Sequence, residues 1–179
     1  HQAVHSPLFE EKLGWVGVGS EEDVDEAFRR SRQAQKAWAD TDVKQRVKVM
    51  KRFHHLVAKH RELLADFIQL ETGKDRTAAF DEVLDVLNNA RYYSNNAPKL
   101  LATQKQPGAF PLITKTHLQR VPKGVVGQIS PWNYPLALGI SDAVAALLAG
   151  NGVVAKPDGS TPFSNLISLY LLKEAGLPK

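Results

Sequence analysis

Two short stretches carry the side chains best suited to chemistry: Ser130-Pro131-Trp132-Asn133-Tyr134-Pro135 and, with its lysine 23 residues after Asn133, Lys156-Pro157-Asp158-Gly159-Ser160-Thr161-Pro162. Asn133 lies just ahead of Tyr134-Pro135. It is either a helix N-cap, a role its residue type favours, or an amide donor aimed at negative charge that develops on a reacting oxygen. Lys156 closes an apolar run. It has either merely reached solvent, the commoner fate of a lysine, or serves as a fixed cation for ribose or phosphate oxygens. Gly159 lets a ligand approach the backbone closely, or simply turns the chain. Trp132 is core packing or an apolar wall for a flat ligand.

Such side chains cooperate only if the chain brings them to one edge, and the surrounding pattern predicts that edge. Residues 124–130, Gly-Val-Val-Gly-Gln-Ile-Ser, read as a short apolar strand. Residues 134–150 read as a helix with Leu136, Ile140, Val144 and Leu147 inward and Gly150 as its stop. A second strand (152–157) and a second helix, ended by Gly176, repeat the unit. Two successive βα units predict a parallel sheet, where ligands bind beyond the carboxyl ends of the strands. Both stretches fall at that end. A parallel sheet of two strands cannot cover its own faces, so an incomplete domain is expected.

The first half reads as helices. Ser20 followed by Glu21, Glu22 and Asp23 predicts a capped start, and Val24, Ala27, Phe28, Ala34 and Trp38 recur at near-helical spacing. A second helical run follows Thr41-Asp42 through Val47, Met50, Leu56 and Phe67 to Gly73, with a break near His60. A third starts at about Arg76 with Ala79, Val83, Val86, Ala90 and Tyr93 on one side and fades at Pro98. Residues 104–124 hold three prolines and two glycines around Leu112-Ile113-Thr114-Lys115-Thr116-His117-Leu118-Gln119-Arg120. This predicts an exposed ribbon, or a strand paired elsewhere, that contacts another part of the molecule or another subunit.

Composition narrows the class. With 43% hydrophobic and 23% charged residues the chain reads as soluble and globular, without an apolar run long enough for a membrane or the regions of a signal peptide, so a cytoplasmic location is expected. The absence of cysteine excludes disulfides, thiolate zinc sites and a thiol nucleophile within these residues. His54 and His55 point to different helix faces and His60 completes no ligand set, so no metal site is expected. A net charge of +4 chooses no partner. Residues 44–61 carry seven Lys or Arg, which would suit nucleic acid, but the charges lie opposite an apolar face, and no recognised nucleic-acid module accompanies them. A noncatalytic interaction module, using the ribbon and the incomplete sheet, is a further alternative.

Taken together, Pro131-Trp132-Asn133-Tyr134-Pro135 and the Lys156–Pro162 stretch resemble the aldehyde dehydrogenase superfamily, N-terminal part. Glu71-Thr72-Gly73-Lys74, Arg91-Tyr92-Tyr93, Leu147-Leu148-Ala149-Gly150-Asn151 and the Glu174–Pro178 ending add to the likeness, which covers nearly the whole chain. The family's nicotinamide domain lacks the G-x-G-x-x-G turn that is also absent here. The resemblance implies an α/β fold: helices over 1–106 in the cofactor-binding domain, an extended β ribbon over 107–122 in the oligomerisation region, and over 123–179 the first βα units of a Rossmann-like parallel sheet. It implies that Asn133 forms half of an oxyanion hole while a cysteine attacks the aldehyde, hydride passes to NADP or NAD, and a glutamate-activated water releases the acid. Ile129, Ser130, Pro131, Trp132 and Asn133 would line the cofactor together with Lys156, Pro157, Asp158 and Gly159. Tyr134, Leu138 and Ser141 would face the substrate. A homo-oligomeric parent, with neither nucleic acid nor membrane as partner, is implied as well.

Departures from the family pattern carry their own expectations. The catalytic cysteine and glutamate lie beyond these residues, so the 179-residue chain alone is expected to be inert. Where NAD-selective members often hold a glutamate against the ribose, this chain has Gly159, which favours NADP or dual use. The stretches Gly108–Thr116 and Ser130–Gly150 look most like a second, actinobacterial-type succinate-semialdehyde dehydrogenase branch. Many such enzymes carry an arginine eight positions after the asparagine; here stands Ser141, and a replacement cation would have to come from elsewhere.

Overall fold

A computed structural model describes residues 1–9, 11–110 and 113–178. Four helices lead into two βα units, as the sequence pattern predicts. Helix α1 (Glu21–Asp40) starts at a capping box in which the Ser20 hydroxyl accepts from the Asp23 N–H and the Asp23 carboxylate accepts from the Ser20 N–H. Helices α2 (Val43–Lys59) and α3 (Arg61–Thr72) meet at His60, and α3 stops at Gly73, whose φ of 75° suits a residue without a Cβ. Helix α4 (Arg76–Leu100) carries Pro98 in its last turn and runs two residues past it.

The core forms where α2, α3 and α4 pack around α5 (Ala137–Leu148) and α6 (Phe163–Glu174). Met50, Phe53, Val57, Leu64, Ile68, Val86, Ile140 and Val144 are fully excluded from solvent there. Each large apolar side chain buried in this way contributes about 1.5–3 kcal/mol. Helix α5 is apolar nearly all round, which fits its central place.

Strands β5 (Val125–Ile129) and β6 (Gly152–Lys156) pair in parallel, from Val125 opposite Gly152 to Ile129 opposite Lys156. Alternate strand residues face opposite sides. A Cβ placed on Gly127 would meet the Phe28 ring of α1, whereas the Gln128 side chain donates to the Leu138 carbonyl of α5 at 2.8 Å. Thus α1 covers one face and α5 the other. Trp38 secures α1 to the core, its indole N–H donating to the Leu147 carbonyl at 2.8 Å.

Two small antiparallel ribbons complete the described structure. In the first, β1 (Gln2–His5) pairs with β2 (Lys12–Val16), an element absent from the sequence reading because its nine residues show no clean alternation. The second pairs β3 (Gln104–Gln106) with β4 (Thr116–Leu118). The predicted exposed ribbon is therefore a hairpin whose partner strand is local, and every residue of its two strands is exposed. Pro111 and Leu112 of that stretch lie outside the described residues.

Candidate functional site

The pairing of Ile129 with Lys156 brings the ends of β5 and β6 level, so the two turns leave the sheet at one rim. Further bonds tie them: the Ser130 N–H donates to the Lys156 carbonyl at 3.2 Å, and the Thr161 hydroxyl to the Trp132 carbonyl at 3.4 Å.

On the α1 face of this rim opens a cleft of about 930 Å³. Of the sequence-predicted cofactor residues it takes in Ile129, Lys156, Pro157, Asp158 and Gly159. Lys156 is exposed, and it and Asp158 are the charged residues of the lining among the described residues. Asp158 turns its carboxylate back to accept from the Ser160 N–H at 2.8 Å. At Gly159 an added Cβ would lie 2.9 Å from the Gln2 side-chain oxygen, so the missing side chain makes room for the Gln2 amide of the hairpin. Not evident from the sequence were the opposite walls, Trp15 of β2, Val18 just after it, and Val24 and Phe28 of α1. In the helical periodicity of α1 these last two look like core positions, but only Trp38 of that set is buried. Val24 is half exposed, because the stripe reaches past the sheet edge into the cleft.

The second group stands apart from this lining. Ser130 is buried, whereas Trp132, Asn133 and Tyr134 are exposed at the crest of the rim. The N-cap reading of Asn133 fails: α5 begins at Ala137, three residues beyond the start expected at Tyr134, and its cap position, Leu136, has no side-chain cap hydrogen bond. The exposed amide is free of that duty. Tyr134 and Leu138 are both half exposed, while Ser141 is 8% exposed and its hydroxyl donates to the Asp85 carboxylate at 2.9 Å.

The first turn of α5 is satisfied from another helix. The Leu136 and Ala137 N–H groups both donate, at 3.0 Å, to Oε2 of Glu82, a residue of α4 only 1% exposed. Oε1 of Glu82 accepts from the Lys74 ammonium at 2.5 Å, and that ammonium sits 3.8 Å from the Tyr134 ring centre. Helix α6 is treated alike: the carboxylate of Glu71, 3% exposed, accepts from the Phe163 and Ser164 N–H groups. Burial pushes the Glu71 carboxyl above its ordinary pKa, against the pull of those two N–H donors. None of the roles of Glu71, Lys74 and Glu82 is among those expected from the sequence. The legible signal was an acid inside an apolar stripe, Glu82 between Ala79 and Val86 and Glu71 three residues after Ile68.

Among the described residues no group of three or more His, Cys, Asp or Glu could hold a metal, and no helix is long and apolar enough to cross a membrane.

Known proteins share this frame. A relative in Mycolicibacterium smegmatis named "Putative succinate-semialdehyde dehydrogenase (NADP(+))" is 52% identical over 168 residues, covering 94% of this chain and 32% of the relative. An NADP-dependent enzyme of E. coli superposes with a TM-score of 0.93 at 29% identity, over 98% of this chain and 36% of that one. An NAD-dependent benzaldehyde dehydrogenase of Corynebacterium glutamicum does so with 0.91 at 32% identity, over 99% and 38%. The chain thus spans about a third of the length of the proteins it matches. With the model of the aldehyde dehydrogenase family matching residues 1–179 from end to end, the chain belongs to that family.

Proposed function

We propose that this chain is the N-terminal part of an NADP-dependent aldehyde dehydrogenase, able also to use NAD, that oxidises succinate semialdehyde to the dicarboxylic acid. The observation that carries the reading is the shared rim, with an exposed Lys156 over an open cleft and an exposed Asn133 amide released from capping. Residues 1–106 and 123–179 then belong to the cofactor-binding domain and residues 107–122 to the oligomerisation region. Support for the last assignment comes from Phe110, Ile113 and Val121, exposed by 64%, 83% and 76%, apolar groups that a homo-oligomer would cover. In this proposal neither nucleic acid nor a membrane is a partner, and the enzyme is cytoplasmic.

The cleft fits a nicotinamide dinucleotide. Lys156 supplies a cation and N–H donors for ribose and phosphate oxygens, and Gly159 places no carboxylate against a 2′-phosphate. When bound, the dinucleotide accepts a hydride from the aldehyde carbon. Pro157 and Ile129 would floor the adenosine side, and Ser130, Pro131 and Trp132 would carry the binding surface over the rim. Asn133 would donate its amide N–H to the oxygen that turns anionic under nucleophilic attack. The attacking cysteine and the water-activating glutamate come from outside these 179 residues, which hold no cysteine. The chain alone is therefore inert.

On the substrate side Tyr134 and Leu138 offer apolar surface, whereas Ser141 is occupied by Asp85. The terminal carboxylate of succinate semialdehyde thus needs a cation from another part of the enzyme. Initial rates of the full-length protein with succinate semialdehyde and with butanal, under each cofactor, test this. We expect a higher kcat/KM for the acid aldehyde, by about tenfold or more, as for a charge-assisted contact, and for NADP over NAD. Equal or better turnover of butanal would remove the substrate assignment. No reduction of either cofactor with any aldehyde would remove the activity.

A further inference from the structure

Asn133 is useful for chemistry only if its amide is held still, yet its turn carries no cap of its own. What holds the turn lies on other elements. Leu136 and Ala137, the residues that convert the turn into α5, give their N–H groups to one oxygen of Glu82. The other oxygen binds Lys74, and Lys74 lies over the ring of Tyr134, the neighbour of Asn133. Contacts are thus made on both sides of Pro135, from α4 and from the turn between α3 and α4.

We propose that Lys74 and Glu82 form a positioning pair that sets the orientation of the Asn133 amide. Neither touches substrate. The arrangement suits the task because each partner is needed by the other. Glu82, 1% exposed, would be a costly buried charge without the ammonium and the two N–H donors, and the ammonium is held over Tyr134 by the carboxylate. A helix start capped in this way has one orientation, fixed by a rigid helix rather than by a local loop residue. An uncharged amide at position 82 could still accept from α5 but would no longer hold Lys74, so the turn would gain freedom while the fold stays intact.

The inference rests on the oxyanion role of Asn133, and the experiment separates the two in the full-length enzyme. Glu82→Gln is expected to lower kcat about 10- to 100-fold, as misplacement of a catalytic group by a fraction of its contact distance does, with the cofactor KM within about twofold. Amide exchange at Leu136 and Ala137 should quicken while α2 keeps its protection. In an Asn133→Ala background the same substitution should cost little more, because two residues acting through one group are not additive. Should Glu82→Gln fail to fold, Lys74→Met takes its place, with Lys74→Arg expected to restore most of the turnover. Unchanged kcat, unchanged exchange at 136 and 137, or a full additional loss in the Asn133→Ala background would each overturn the pair. An Asn133→Ala enzyme with wild-type turnover would instead overturn the oxyanion role on which the pair depends, and the proposal would fall for that separate reason.

Discussion

At the residue scale the reading comes down to what Lys156 and Gly159 can offer a dinucleotide. Lys156 is exposed at the end of β6, so its contacts with ribose or phosphate would be charge-assisted but partly hydrated. For Lys156→Ala we expect the cofactor KM to rise about tenfold with kcat within about twofold, measured by initial rates across cofactor concentration. An unaltered KM would return that lysine to an ordinary surface role. At Gly159 a glutamate would displace only the flexible end of Gln2, since that is the nearest group its Cβ would meet. Gly159→Glu should therefore fold and shift the ratio of kcat/KM values toward NAD, its carboxylate favouring ribose hydroxyls and repelling a 2′-phosphate. A ratio that does not move would leave the cofactor preference without its stated cause.

At the element scale, the boundaries of the helices were legible because capping chemistry is local. Ser20, Gly73, Gly150 and Gly176 all mark real ends, the three glycines at positive φ. The βα units were legible from their apolar runs and stop signals. The start of α5 was not, because its cap comes from Glu82, distant in sequence, and no local pattern reveals a bond made across the fold. For the same reason Glu71 could not be read as the cap of α6. Glu71→Ala would orphan the part-buried Phe163 and buried Ser164 N–H groups and should destabilise the protein by about 2–4 kcal/mol, whereas Glu71→Gln, which keeps an acceptor, should cost less. The raised Glu71 pKa also fixes a sign. Its folded form holds a proton more tightly than the unfolded chain, so the contribution is present in full below the ordinary carboxylate value of 4.5 and is lost as pH rises through the folded value. Denaturant titrations from pH 4 upward should show the wild type losing stability relative to Glu71→Gln over that interval. A difference that is constant with pH, or grows the other way, would contradict the burial of that carboxyl.

At the scale of the whole molecule, the frame puts Arg46, Glu71 and Glu82 to internal uses that charge counting could not foresee. Arg46 belongs to the basic stretch that suggested nucleic acid. It is buried, donating to the Leu148 carbonyl at 2.9 Å and to the Ala39 and Thr41 carbonyls, where it ties the α1–α2 turn to the end of α5. At the surface, Arg76 spans to Glu62 and Asp66 of α3. The rim itself was legible from two motifs and their spacing, and the cleft was not, since one of its walls comes from the β1–β2 hairpin, the residues just after it and α1. What the frame achieves is to present two turns together, one anchored by Glu82 and the other by Glu71, with an open cleft beside them. The measurement that tests this most directly is pre-steady-state cofactor reduction by the full-length enzyme carrying Asn133→Ala, with cofactor affinity determined in parallel. Loss of one oxyanion donor predicts a rate about 100- to 1,000-fold lower at unchanged affinity. A rate within about twofold of the wild type would contradict the account, leaving the exposed amide at the rim without a part in the reaction.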